Sequence, residues 1–155
     1  MARREAYISG VGQSEVGIRV ARHPLLLTLD AVKEALDEAG LASGQIDGVF
    51  TFPGKTQAYL GFSPVGTDDV IDALGIKSKW HNGAMETFGP GGSVISAMLA
   101  VAGGLARHVL CFRTVWEATY AELLKQRRIS PPTHTFPSSL TSAGWLSASC
   151  SPPPR

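Results

Sequence analysis

The sequence contains only two cysteines, Cys111 and Cys150, among 155 residues. Two cysteines are too few for a disulfide framework or a cysteine-rich metal site, so we expect no metal and a reducing, cytoplasmic compartment. Charge is also scarce, because charged residues make up 17% of the chain and the formal net charge is +1. That balance excludes a polybasic protein that binds nucleic acid or a membrane surface.

Long apolar runs are lacking as well. The most apolar segment, residues 93–102, would be about 15 Å long as a helix, which is too short to span a bilayer. The opening residues 1–6 are too few and too polar for a secretory signal. Gly10 and Gly12 form G-x-G without the third glycine of a dinucleotide-binding loop, so we predict no such cofactor.

One stretch, residues 83–115, organises the rest of the chain. It begins with a Gly/Pro-rich segment at 88–92, which we predict to be a loop. Residues 93–102 follow and are apolar on every side, which predicts a helix buried all round. Gly103 and Gly104 should end this helix. Residues 108–115 then read as a strand covered on both faces.

The glycine-rich entry into this helix has two interpretations. Backbone N–H groups of Gly89, Gly91 and Gly92, together with the helix N-terminus, could hold an anion or a developing oxyanion. Alternatively, the glycines only allow the helix to pack closely on the sheet.

Strand and helix signals alternate along the first four-fifths of the chain. Pro24 opens a helix that Gly40 ends, and Thr67 is the expected N-cap of a helix that Gly75 ends. The alternation predicts an α/β fold with a mostly parallel sheet, helices on both faces and one buried central helix. The predicted strands are 6–12, 46–52, 79–82 and 108–115, and the predicted helices are 24–39, 68–74, 93–102 and 116–126.

The composition changes after residue 128. Residues 129–155 are rich in Ser, Pro and Thr and show no hydrophobic period, which is typical of a disordered segment. We therefore expect an incomplete N-terminal domain over 1–128 and a disordered or out-of-frame tail over 129–155.

Residues 6–126 resemble the N-terminal half of the thiolase-like superfamily, in particular its lipid-transfer-protein branch of sterol-carrier-protein thiolase-like proteins. The matching segments are AYISGVGQSEVG, PLLLTLDAVKEALDEAGL, IDGVFTFPG and ARHVLCFRTVWEATYAELLKQ. The resemblance implies a two-half α/β fold, a homodimer and an acyl-CoA substrate. It also implies retro-aldol carbon–carbon cleavage, as in steroid side-chain degradation, or acyl transfer, with a small OB-fold partner protein.

One departure from this family bears on the chemistry. The resemblance places Gly89 at the position of the nucleophilic cysteine, while Cys111 lies inside a predicted strand. Covalent acyl transfer through a thiol is therefore unsupported. Retro-aldol cleavage needs a base and donors for an enolate oxygen but no thiol, and we expect the base from outside this chain.

A few other side chains are weaker candidates. His81, beside the central loop, could contact a substrate, although a structural histidine at a strand end is the simpler interpretation, and the same holds for Glu86. Four arginines could bind CoA phosphates, although they are more simply ordinary surface charges. They are Arg107, Arg113, Arg127 and Arg128.

Three readings of the chain remain open. The first is a truncated portion of an acyl-CoA lyase or acyltransferase. The second is a non-catalytic dimerisation or binding module, and the third is a non-functional fragment. A half-domain would leave apolar surface open to water, so we expect the isolated chain to be inactive on acyl-CoA and to self-associate or aggregate.

Overall fold

The computed structural model describes residues 5–55, 60–84 and 89–130. Across these residues four α-helices and three strands alternate in the order α, β, α, β, α, β, α. The sequence predicts such alternation for an α/β fold. The helices are α1 Pro24–Ala39, α2 Thr67–Leu74, α3 Gly89–Ala102 and α4 Glu117–Lys125. The strands are β1 Gly48–Thr51, β2 Trp80–Gly83 and β3 Val109–Phe112.

The sheet is parallel, with β1 between β2 and β3. Gly48 pairs with Trp80 on one side and with Val109 on the other. All four residues of β1 are buried, because both edges of the strand are hydrogen-bonded and both faces are covered. The predicted strands at 46–52, 79–82 and 108–115 are therefore confirmed, the first and third over shorter spans and the second shifted by one residue.

Helices cover both faces of this sheet. Val49 and Leu110 share one face and pack in a core with Val32 of α1 and Val70 of α2. Phe50 and Cys111 point to the other face, where Cys111 contacts Ser93 of α3. Alternation along each strand thus separates α1 and α2 from α3.

Local signals set the ends of the helices. Pro24 is the first residue of α1, and Gly40 and Gly75 follow α1 and α2 in the left-handed conformation that favours glycine. Gly66 rather than Thr67 is the N-cap of α2, and the Asp69 carboxylate accepts the Gly66 N–H at 2.7 Å. The predicted position of this cap is wrong by one residue.

The predicted strand at 6–12 is wrong, because residues 5–17 form neither helix nor strand. This segment pairs with neither outer strand of the described sheet, β2 or β3, and it lies along α1 instead. The Val11 and Gln13 N–H groups donate to the carboxylates of Glu38 and Glu34, at 2.6 and 2.8 Å. We call residues 5–17 the N-terminal segment.

The prediction that the central helix is buried all round is also wrong. Its small residues Gly92, Ser93, Ala97 and Ala100 face the sheet, whereas Ile95 and Leu99 are 55% and 67% exposed. Only one side of α3 meets the sheet, and no described element covers the other side. The helix also begins at Gly89, so the predicted loop at 88–92 is wrong for residues 89–92.

Some predictions lie outside the described residues. These are the predictions on Glu86, on Phe88 and on residues 131–155 of the predicted tail. None of the described helices is long and apolar enough to cross a membrane.

Candidate functional site

The carboxyl ends of the three parallel strands meet at one edge of the sheet, which we call the carboxyl edge. In open parallel sheets this edge carries ligand sites where the strand order reverses. Here the chain runs from β1 to β2 on one side and then returns to β3 on the other side. The reversal lies between the ends of β1 and β3, beside Phe52 and Arg113.

Arg113 joins these two strand ends. Its Nη1 donates to the Phe52 carbonyl at 3.0 Å, and its guanidinium carbon lies 4.4 Å from the centre of the Phe62 ring. The Phe52 ring is 5.8 Å away. An arginine stacked on aromatic rings is held in place by both packing and electrostatic attraction.

Threonine hydroxyls fix the chain on either side of Arg113. Thr51 Oγ1 donates to the Phe112 carbonyl at 3.0 Å, which ties the end of β1 to the end of β3. Thr28 Oγ1 donates to the Pro24 carbonyl, and it lies 2.6 Å from Thr114 Oγ1. These bonds hold the residues that follow β3 against α1.

The glycine-rich N-terminus of α3 follows β2, which ends at the same edge. Gly89 has φ +65°, and a Cβ added at Gly89 or Gly91 would meet no atom within 4 Å. Gly92 is buried, and the Ser93 hydroxyl donates to the Pro90 carbonyl at 2.5 Å. The structure thus places Gly89, Gly91 and Gly92 in the first turn, where backbone N–H groups favour negative charge.

The Cys111 thiol is not suited to act as a nucleophile. Its thiol donates to the Ser93 carbonyl, with Sγ and O 3.7 Å apart. Burial raises the pKa of Cys111 to about 11. Because the thiolate is the nucleophile, a thiol with such a pKa is inert near neutral pH.

His81 lies on the exposed edge strand β2. Its Nε2 is 4.0 Å from the Asp68 carboxylate of α2, and both side chains are more than half exposed. Sequence reasoning could not place a carboxylate there, because the pairing depends on how α2 packs beside β2. A surface pair at this distance is weak and does not orient a catalytic imidazole.

A cavity of about 1130 Å³ lies between the N-terminal segment and the rest of the domain. Its walls include apolar side chains of α1 and α3, among them Leu27, Val32, Val94 and Met98, and it extends to Arg113. Sequence reasoning missed this cavity, because it exists only where the N-terminal segment lies on α1 rather than in the sheet.

No described group of three or more His, Cys, Asp or Glu side chains could hold a metal ion. The arrangement therefore offers backbone donors at α3, one fixed guanidinium and an adjacent apolar cavity. Such a set can bind an amphipathic anion and stabilise negative charge on an oxygen.

No protein-family profile matches the chain. Two curated proteins are similar to it. A steroid side-chain-cleaving aldolase of Thermomonospora curvata is 32% identical over 108 residues, covering 70% of this chain and 26% of the relative. A 17-hydroxy-3-oxo-4-pregnene-20-carboxyl-CoA lyase of Mycobacterium tuberculosis is 31% identical over 113 residues, covering 73% of this chain and 28% of the relative.

A solved aldolase structure is similar to about the same share of this chain. The Ltp2-ChsH2(DUF35) aldolase matches with a TM-score of 0.56 and 30% identity, over 69% of this chain and 26% of that chain. The chain therefore spans about a quarter of the length of each relative. Over about seven-tenths of its own length, it is similar to steroid side-chain aldolases and acyl-CoA lyases.

Proposed function

We propose that this chain is the N-terminal portion of a thiolase-like acyl-CoA carbon–carbon lyase, and that alone it binds acyl-CoA without turning it over. One observation carries the choice of chemistry. The helix N-terminus at the carboxyl edge begins with Gly89 and offers no thiol, while Cys111 is buried with a raised pKa. This combination favours retro-aldol cleavage over covalent acyl transfer.

In the proposed reaction a base removes the proton of the β-hydroxyl group of a β-hydroxyacyl-CoA. The bond between the α and β carbons then breaks, which releases a carbonyl product and leaves an enolate on the thioester. Backbone N–H groups in the first turn of α3 stabilise the enolate oxygen until the α carbon is protonated. In this proposal the base comes from outside this chain, in line with the expectation that the chain alone is inactive.

The proposal extends to assembly and compartment. We infer a homodimer, a small OB-fold partner protein and a cytoplasmic location, in line with the thiolase-like resemblance and with the few cysteines. Similarity to one carboxyl-CoA lyase, one steroid side-chain-cleaving aldolase and one solved aldolase supports the substrate class, and each relative is about four times longer than the matched part.

A non-catalytic dimerisation or binding module is the second candidate. The exposed side chains Ile95, Met98 and Leu99 favour it, because they lie on one side of α3 without a described partner. This candidate predicts stable self-association without affinity for acyl-CoA. A non-functional fragment predicts aggregation instead.

Binding and turnover must be measured separately. We expect the 155-residue chain to bind a β-hydroxyacyl-CoA in calorimetric titration and to release no shorter acyl-CoA by mass spectrometry. Co-expression with the remaining three-quarters of the Thermomonospora curvata aldolase should add turnover. Absence of binding by the folded chain, or cleavage by the chain alone, would refute the proposal.

A further inference from the structure

Of the four arginines singled out in the sequence, packing holds only one at the carboxyl edge. Arg107, Arg127 and Arg128 are exposed, whereas Arg113 is half-buried between the ends of β1 and β3. The ring of Phe62, itself partly exposed, lies 4.4 Å from the guanidinium carbon. This position distinguishes Arg113 from an ordinary surface charge.

The hydrogen bonding of Arg113 is incomplete within the described residues. A guanidinium has five N–H donors, and here the one described hydrogen bond is from Nη1 to the Phe52 carbonyl. None of the described ion pairs includes Arg113. A half-buried cation without an anionic partner is unfavourable, so an oxyanion that reached it would gain charge-assisted hydrogen bonds.

The surroundings indicate what kind of anion fits. Arg113 follows β3 at the reversal of strand order, and it is one of the residues that line the cavity of about 1130 Å³ together with residues of α1 and α3. A ligand with an anionic group at Arg113 could place an apolar group against the apolar lining of this cavity, which includes Leu27 and Met98. This arrangement suits an amphipathic ligand with a phosphate on one part and an acyl group on another.

We infer that Arg113 binds a phosphate group of the CoA moiety, with the Phe62 ring holding the guanidinium flat. The inference rests on the proposed function, since it names the residue that recognises the proposed substrate. The planar fork of an arginine matches two oxygens of one phosphate, which a lysine cannot do.

The test compares the full chain with Arg113→Gln. We expect Arg113→Gln to weaken binding of a β-hydroxyacyl-CoA at least tenfold, as measured by calorimetry. Binding of the same acyl group on N-acetylcysteamine, a thioester without phosphate, should be unchanged. Dephospho-CoA thioesters separate the two phosphate sources, because they lack the ribose 3′-phosphate and keep the pyrophosphate.

Lys33→Gln is the matched control, because it removes one positive charge from the exposed side of α1 and should leave binding unchanged. Melting temperature reports on folding for each variant. If Arg113→Gln is unfolded at the assay temperature, Arg113→Lys replaces it. That variant keeps the charge and loses the fork, so weaker binding than wild type is expected, and equal binding overturns the inference.

The outcomes separate the inference from the proposed function. If wild type binds acyl-CoA and Arg113→Gln binds it equally well, the inference is wrong and the function stands. If wild type binds no thioester, the function is wrong, and titration with inorganic pyrophosphate decides the inference. Loss of pyrophosphate binding in Arg113→Gln then supports an anion site, and equal binding or no binding by wild type refutes it.

Discussion

At the scale of single residues, Asp47 connects the amino ends of all three strands. Its Oδ1 accepts the Arg107 and His108 N–H groups at 2.7 and 2.9 Å, and its Oδ2 accepts Lys79 Nζ at 3.1 Å. Partial burial acts to raise the pKa of Asp47, but the donors of His108, Arg107 and Lys79 outweigh it, so the pKa is lowered.

The pH dependence of stability follows from the lowered pKa of Asp47. A carboxyl whose pKa is lower in the folded state stabilises the fold above its unfolded pKa of about 3.9, and this contribution is lost as the pH falls through the folded pKa. Asp47→Asn should therefore cost about 1–3 kcal/mol in the free energy of unfolding at pH 7.

The difference between wild type and Asp47→Asn should shrink below pH ~4. Urea unfolding at pH 7 and at pH 3 measures both effects. Asp72→Asn, on the exposed side of α2, is the control and should change little. A pH-independent difference for Asp47→Asn would contradict the assigned role of its charge.

Cys111 gives a second prediction at this scale. With a pKa of about 11, its thiolate fraction at pH 8 is about one in a thousand. Iodoacetamide should label Cys111 slowly in the folded chain and quickly in urea, with peptide mass spectrometry separating it from Cys150. Rapid labelling of the folded protein, with loss of any thioester activity, would show that Cys111 is an accessible nucleophile.

At the scale of elements, the N-terminal segment is held against α1 by close backbone contact. A Cβ at Gly12 would lie 2.0 Å from the Ala31 carbonyl oxygen, and one at Gly10 would lie 2.2 Å from that of Ala35. Neither carbonyl can move without disturbing the helix, so a methyl group at either glycine must displace the segment.

Gly12→Ala should therefore release the segment from α1, at a cost of about 1–3 kcal/mol for the overpacked contact. Amide exchange at Val11 and Gln13, measured by NMR, should become faster as their bonds to Glu38 and Glu34 open. Gly44→Ala is the control, since a Cβ there meets no atom within 4 Å. Unchanged exchange in Gly12→Ala would contradict this packing.

The elements also differ in how far the sequence could predict them. Local patterns set α1 and α2, because Pro24, Gly40 and Gly75 act within a few residues of themselves. The N-terminal segment has the residues of a strand, but whether it joins the sheet depends on long-range packing, and here Gly10 and Gly12 pack on α1 instead. Exposure of α3 likewise depends on what packs against it.

The candidate site shows the same limit. Sequence reasoning named the glycines at the start of α3 and four arginines as possible anion ligands. It could not separate Arg113 from the other three, because only the packing of Phe62 against the end of β3 does so. The cavity between distant segments had no local signal at all.

At the scale of the whole molecule, apolar side chains are exposed along α3. Ile95 and Leu99 are one turn apart on the same side of the helix, and Leu105 beyond it is 56% exposed. Surfaces of this kind mark association or aggregation sites. We expect the chain to elute from a sizing column as more than a monomer, whether it comprises residues 1–155 or 1–128.

Leu99→Glu should shift this elution toward the monomer without lowering the melting temperature, because the side chain has no described partner to lose. Leu26→Glu, at an exposed position of α1, tests for a general effect of added charge and should leave the association unchanged. A wild-type chain that stays monomeric at high concentration would refute the prediction.

The position of β1 at the centre of the sheet also has a consequence during protein synthesis. Thr51 of β1 and its bonded neighbour Phe112 of β3 are 61 residues apart in the chain. At about 5–20 residues per second, a ribosome needs roughly 3–12 s to make the chain between them. Throughout that interval the most buried strand has at least one unpaired edge, so we expect nascent chains shorter than about 112 residues to depend on chaperones.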